Sequence, residues 1–238
     1  MGHGDDPASG VGPTRQANVK RVEIVAHRGA NREAPENTIA AFQRAIDIGV
    51  QGIELDVQFT RDGVPVVHHD PKLRSVDRPI ASMSLNEVKA SGDTPSLDEV
   101  LDVVNSQCRL YIEIKAPAAV EAVVERLKTR RSWCAVHSFD HRVVAKARSL
   151  DAELTTGILL VSYLIDVLGA MRAAGARDLW QQADYIDREL VDRVHESSGR
   201  VFAWTVNDIA RARELIDVGV DVICTDTPRE VMSGLTSG

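Results

Sequence analysis

From residue 22 onward, short apolar runs of strand length alternate with stretches whose apolar residues recur at helical spacing. Val22–Ala26 reads as a first strand. Ile39, Phe42, Ala45 and Ile46 then line one face of a helix over 38–48, with Gly49 as its stop. Ile53–Phe59 is a second strand, and Arg61-Asp62-Gly63 turns the chain back into Val64–His69 as a hairpin. Residues 71–95 interrupt the rhythm with prolines, polar residues and one short helix opened by Ser84-Leu85-Asn86-Glu87. A second S-x-x-E capping box, Ser96 to Glu99, opens the next helix. Strands then follow at Leu110–Ile114, Trp133–His137, Leu154–Leu160, Asp178–Gln182, Arg200–Val206 and Asp221–Thr225. Helices are predicted between them over 118–128, 141–149, 164–173, 188–197 and 208–217, with a last one after Pro228. The strand at 178–182 carries the weakest pattern.

Eight strands alternating with helices, without a Gly-rich dinucleotide loop, predict an α/β fold closed into a parallel (β/α)8 TIM barrel, with a short insertion after the second strand. At 238 residues the chain has the length of one such barrel. No linker divides it, so residues 20–238 are expected to form a single domain. Met1 to about Val19 is polar and rich in Gly, Asp and Pro. It lacks the apolar core of a signal peptide and is expected to be a disordered tail.

Charge and cysteine usage narrow the partners. The net charge is −7 and no basic run is long enough to track a phosphate backbone, which argues against nucleic acid. No apolar stretch reaches the length of a membrane span, so stable membrane insertion is not expected. Three cysteines at 108, 134 and 224 show no metal-binding spacing. They read as buried, reduced thiols of a cytoplasmic protein. Oligomeric state is not legible in the sequence.

In a barrel of this kind the chemistry gathers at the C-terminal ends of the strands, and the unusual polar residues fall there. Strand one ends in His27-Arg28-Gly29, and strand two carries Glu54 and Asp56. The hairpin ends in His68-His69-Asp70, strand three carries Glu113 and Lys115, and strand seven carries Trp204. Glu54 and Asp56 stand at i and i+2, so they share one face of their strand. Two like charges side by side repel and are costly to bury. With Glu113 they offer the oxygen donors that suit a hard divalent cation, Mg²⁺, Ca²⁺ or Mn²⁺. Arg28 and Lys115 supply fixed positive charge for a phosphate-sized anion. His27 and His69 carry imidazoles, which can exchange protons. His137, at the end of strand four, reads as a packing or hydrogen-bonding residue. A metal, a cationic clamp and two histidines suit the cleavage of a phosphate ester.

In order, these pieces resemble the glycerophosphodiester phosphodiesterase family across nearly the whole chain after the tail. The match includes His27-Arg28-Gly29, Pro35-Glu36-Asn37-Thr38, Gly52-Ile53-Glu54-Leu55-Asp56-Val57, Asp62-Gly63 and His69-Asp70. It continues through Glu113-Ile114-Lys115, Ser138-Phe139, Trp204-Thr205-Val206-Asn207 and Thr225-Asp226-Thr227-Pro228. The resemblance implies a TIM barrel and metal-dependent hydrolysis of glycerophosphodiesters to sn-glycerol 3-phosphate and an alcohol. One divalent ion would be held by Glu54, Asp56 and Glu113, with His27 and His69 as the acid and base. Arg28 and Lys115 would touch the phosphate, Trp204 would wall the glycerol or leaving alcohol, and Glu36 and Asn37 would shape the first loop and cap its helix. His69 is preferred to His68 because it directly precedes Asp70. The insertion is short for this family, which leaves the mouth more open and keeps a second substrate class, the lysophospholipids, in view. A non-catalytic phosphate-ester-binding barrel would be expected to have lost one of the five metal and histidine positions, and all five are intact.

Overall fold

The computed structural model describes Met1 and residues 22–236. Eight parallel strands form the barrel: β1 (Glu23–His27), β2 (Gly52–Phe59), β6 (Arg109–Ile114), β7 (Cys134–Ser138), β8 (Thr155–Leu160), β9 (Asp178–Gln182), β10 (Arg200–Trp204) and β11 (Val222–Thr225). Each pairs with the next, and β11 pairs back onto β1 with Glu23 opposite Val222, which closes the sheet. Helices α1 (Ile39–Ile48), α3 (Leu97–Val104), α4 (Val120–Leu127), α5 (His141–Leu150), α6 (Val167–Ala174), α7 (Arg188–Glu196), α8 (Ile209–Val218) and α9 (Pro228–Thr236) surround it. The expected (β/α)8 barrel is present, including the weakly patterned strand at 178–182. The expected disordered tail over 1–19 lies, Met1 aside, outside the described residues.

The hairpin is shorter than its sequence pattern suggests, and the insertion carries more structure. After Thr60–Gly63 only β3 (Pro65–Val67) pairs antiparallel with β2, with Val57 opposite Val67. His68 and His69 are thereby freed from the ladder. The insertion adds a two-stranded ribbon, β4 (Lys72–Leu73) and β5 (Arg78–Pro79), which the sequence pattern did not predict, and the short helix α2 (Leu85–Ser91). Ser84 and Ser96 each close a capping box, with Glu87 and Glu99, as their S-x-x-E spacing requires. The insertion has its own small core of Val66, Leu73, Ile80, Met83 and Val88. Helix α6 starts three residues later than its pattern, at Val167, because the Asp166 side chain accepts from Gly169 N and fixes the start there.

Strand alternation sends one set of apolar residues out under the helices and another into the barrel. The lumen holds Val25, Tyr111, Ala135, Leu159, Trp180, Phe202, Val222 and Cys224. Trp180 stacks on Phe202 at 4.4 Å between ring centroids, and Tyr111 meets both edge-on at 5.4 and 5.1 Å. Gly157 makes room for this packing, since a Cβ there would lie 3.0 Å from the Trp180 ring. Below the aromatics, Arg200 donates to Asp178 at 3.1 and 2.9 Å, and the Tyr111 hydroxyl donates to Glu23 at 3.1 Å. The lumen below the mouth is a packed plug, so polar chemistry has only the C-terminal end to occupy.

Candidate active site

Strand register brings the polar residues together. His27 stands opposite Glu54, Asp56 opposite Glu113, and Glu113 opposite His137 on four consecutive barrel strands. Above them lies a cavity of about 270 Å³ lined by His27, Arg28, Glu54, His69, Glu113 and Lys115, with aromatic wall residues that include Phe139, Trp180 and Trp204. All but one of the site residues expected from the sequence therefore face one space. The exception is Asp56, which is only 1% exposed and sits behind the cavity wall.

The turn after β1 is built around backbone geometry. Arg28 and Gly29 both have positive φ, 57° and 80°. A Cβ on Gly29 would lie 2.8 Å from the Ala41 backbone in α1, so glycine is required there for two reasons. This tight passage turns the Arg28 backbone N–H toward Glu54 Oε2, 3.1 Å away, and its guanidinium toward Glu36, with Nη1 at 3.0 and 3.1 Å. Arg28 Nε lies 3.1 Å from Asp56 Oδ2.

Asp56 is saturated by fixed partners. Asn37, itself at φ 58°, donates to Asp56 Oδ2 at 2.8 Å and accepts from the Asp56 backbone N–H at 3.2 Å. Lys115 Nζ stands 3.3 Å from Asp56 Oδ1 and donates to Glu113 at 2.9 Å. Asn37 thus orients a carboxylate, and the cap of α1 falls to Thr38, which accepts from Ala41 N at 3.2 Å. This corrects the expectation that Asn37 caps that helix.

The three carboxyls respond differently to being buried together. Burial raises Glu54 well above the ordinary range, and its neighbours Asp56 and Glu113 push further in the same direction. Burial, then Asp56, raise Glu113 to about 7 in spite of Lys115. Asp56 would also rise on burial, but Lys115, Arg28 and Asn37 outweigh that and hold it low. Two of the three acids are therefore strained as anions, the condition a cation relieves.

His137 adds a nitrogen to this end of the barrel. It is 2% exposed, its ring lies flat on Trp180 at 4.2 Å and 12°, and Nδ1 has no hydrogen-bond partner. Burial pushes its pKa down to about 3, so it is neutral. Leaving a buried polar group unpaired costs about 1–3 kcal/mol, which marks the ring as prepared for something else. Donor atoms of Glu54, Glu113 and His137 all lie within 4.8 Å of one another, a grouping that could hold a metal ion. Asp56 is not part of it.

Each candidate proton carrier is held by its own carboxylate. His27 Nδ1 is 2.7 Å from Asp226 Oδ1, and His69 Nδ1 is 2.8 Å from Asp70 Oδ1. Asn31 and Asn207 donate to Asp226 at 2.6 and 2.8 Å. Burial alone would raise Asp226, but the hydrogen bonds from His27, Asn31 and Asn207 hold it well below the usual range. An ionised carboxylate only accepts, so His27 carries its proton on Nδ1 when neutral. Asp70 is anchored in turn by Arg74, whose Nε donates at 2.8 Å. His68 leaves this cavity and lines a neighbouring polar groove with Glu36, Asp70 and Arg74. Trp204 meets Phe139 edge-on at 5.6 Å, forming one wall. Asp226, Asn37 and His137 were not identified as site residues from the sequence. The only signal was their place at or just after the ends of strands one, four and eight, or in the short motifs there.

Fold and cavity together define a (β/α)8-barrel enzyme with an acidic centre, bridged by lysine and arginine, at its C-terminal mouth. Residues 27–230 match the model of the glycerophosphoryl diester phosphodiesterase family, and the chain belongs to that family. It is 31% identical to a glycerophosphodiester phosphodiesterase of Caldanaerobacter subterraneus over 90% of this chain and 98% of the relative. Among solved structures it resembles an Oleispira antarctica phosphodiesterase in complex with the product sn-glycerol-3-phosphate. That match has a TM-score of 0.82 and 25% identity, over 90% of this chain and 96% of the other. A glycerophosphodiester phosphodiesterase from Thermotoga maritima matches with a TM-score of 0.80 and 26% identity, over 90% and 98%. No helix among the described residues is long and apolar enough to cross a membrane.

Proposed function

We propose that this chain hydrolyses glycerophosphodiesters to sn-glycerol 3-phosphate and an alcohol. The observation that carries the reading is the pair of carboxylate-held histidines, His27 and His69, facing one cavity that also holds Arg28 and Lys115. A product of this kind is bound by the Oleispira relative, which supports the substrate class.

A divalent ion, Mg²⁺, Ca²⁺ or Mn²⁺, held at Glu54 and Glu113, with Asp56 behind them as a third negative charge, would neutralise the buried carboxylates and polarise a phosphoryl oxygen. The chain's own groups do the rest. Lys115 pairs with Asp56 and Glu113, and Arg28 with Glu36 and Asp56. Once those carboxylates are satisfied otherwise, both cations are available to the phosphate. With Nδ1 bound to Asp226, His27 keeps Nε2 for proton transfer, and Asp70 orients His69 in the same way. One histidine takes the proton of the attacking oxygen while the other protonates the departing alkoxide. The attacker is water or the substrate's own 2-hydroxyl, the latter forming a cyclic phosphate that water then opens. Trp204 and Phe139 shield the glycerol side from solvent.

A second reading, lysophospholipase D activity with the same site, is favoured by the rim. Phe139 is 43% exposed, and the loop that follows β8 exposes Val161, Tyr163 and Ile165, the last at 86%. Phe139 also lines the cavity. Side-by-side turnover of glycerophosphocholine and a lysophosphatidylcholine separates the two.

The proposal is tested by identifying the products formed from glycerophosphocholine by phosphorus NMR. Glycerol 3-phosphate with free choline supports it. Phosphocholine with free glycerol, or no turnover of any glycerophosphodiester, would sink it.

A further inference from the structure

His137 is a fully buried imidazole at the barrel mouth without a carboxylate or backbone partner among the hydrogen bonds of the described residues. His27 and His69 each give Nδ1 to a carboxylate at 2.7–2.8 Å. His137 Nδ1 has none, and Nε2 stands 3.9 Å from Glu54 Oε1, beyond hydrogen-bond range. The ring cannot turn to find another acceptor, because it lies flat on Trp180, which is itself stacked on Phe202. Register sets it directly across from Glu113. A structural histidine this deep would be expected to donate or accept at least once. Asp56, the third carboxylate of the expected oxygen set, is by contrast fully engaged by Asn37, Arg28 and Lys115.

We infer that His137 is a nitrogen ligand of the site's divalent ion, acting beside Glu54 and Glu113. The inference rests on the reading that a metal serves this cavity, and it concerns which ion. An imidazole in the set moves preference away from Ca²⁺ and Mg²⁺, which take oxygen donors, toward divalent first-row transition ions. Ligand positions formed by two carboxylates and one imidazole, with His137 held rigidly by aromatic stacking, select by donor type as well as by charge.

The test is pulsed EPR on the full chain loaded with Mn²⁺ alone. The expected spectrum shows the ¹⁴N modulation of a directly bound imidazole. It should vanish in His137→Phe, which keeps a flat ring on Trp180, and survive in His27→Gln, which removes the other nearby nitrogen. Mn²⁺ affinity by titration calorimetry should fall about tenfold or more in His137→Phe, with Ca²⁺ affinity changing less than about threefold. Bound Mn²⁺ without ¹⁴N modulation in the wild type overturns the assignment, and this needs no variant to fold. Modulation that persists in a folded His137→Phe overturns it too. Failure of the wild type to bind Mn²⁺, Mg²⁺ or Ca²⁺, or binding unaffected by Glu54→Gln, would be a failure of the metal reading itself.

Discussion

His27 and Asp226 are 199 residues apart in the chain, yet their side chains meet at 2.7 Å where the last strand closes against the first. The closure of the barrel is therefore what sets the orientation of a proposed proton carrier. Asn31, Asn207 and His27 all direct donors at Asp226. Replacing Asp226 by Asn places an amide among three donors and removes the charge that fixes the imidazole. In a folded variant, kcat is expected to fall about 10²–10⁴-fold, the usual worth of a positioned acid or base. Loss of under fivefold, with circular dichroism unchanged, would contradict the role given to this pair.

The guanidinium of Arg28 reaches Glu36 and Asp56 from a strained backbone position. Lysine keeps the charge but not the planar fork. Arg28→Lys is expected to raise KM for glycerophosphocholine by roughly tenfold or more, about 1.4 kcal/mol of phosphate binding. An unchanged KM would remove Arg28 from the phosphate site.

Gly29→Ala probes the turn itself. Its φ of 80° disfavours any side chain, and the added Cβ would meet the Ala41 backbone at 2.8 Å. Positive φ alone costs about 1–2 kcal/mol, and the backbone overlap adds to it. Urea unfolding should show a loss larger than that range, whereas a loss under about 0.5 kcal/mol would mean that the H-R-G turn is looser than described.

Glu113 gives a pH dependence with a definite sign. Burial and the neighbouring Asp56 raise its carboxyl from the ordinary range to about 7. Between about pH 4.5 and 7 the unfolded chain has lost this proton while the folded chain keeps it, so stability declines as pH rises and levels off above 7. Glu113→Gln lacks that decline. Its melting temperature relative to the metal-stripped wild type should rise from pH 5 to pH 8, at about 2–4 °C per kcal/mol. A constant difference across that range would show that Glu113 is ionised throughout.

The sequence revealed the fold because the strand and helix periods alternate without interruption outside residues 71–95 and turn residues punctuate them. Even the faint pattern at 178–182 became a strand, since β8 and β10 flank it on both sides. Residues that face the cavity through their own strand, such as His27, Glu54, Glu113, Lys115 and Trp204, were legible from strand ends and spacing. What was not legible depends on partners distant in sequence. Asn37 reaches Asp56 only once β2 pairs with β1, and Asp226 reaches His27 only after barrel closure. His137 looked like packing because no local pattern reveals that its ring nitrogens lack partners.

The central claim is metal-dependent cleavage at the Glu54 centre. Its most direct test is the rate of sn-glycerol 3-phosphate release from glycerophosphocholine by wild type and Glu54→Ala, each with and without chelator. Wild-type activity should be abolished by chelation and restored by added divalent ion, and Glu54→Ala should stay inactive under all conditions. Glycerol 3-phosphate release at wild-type rates in the presence of chelator and in Glu54→Ala would contradict the account.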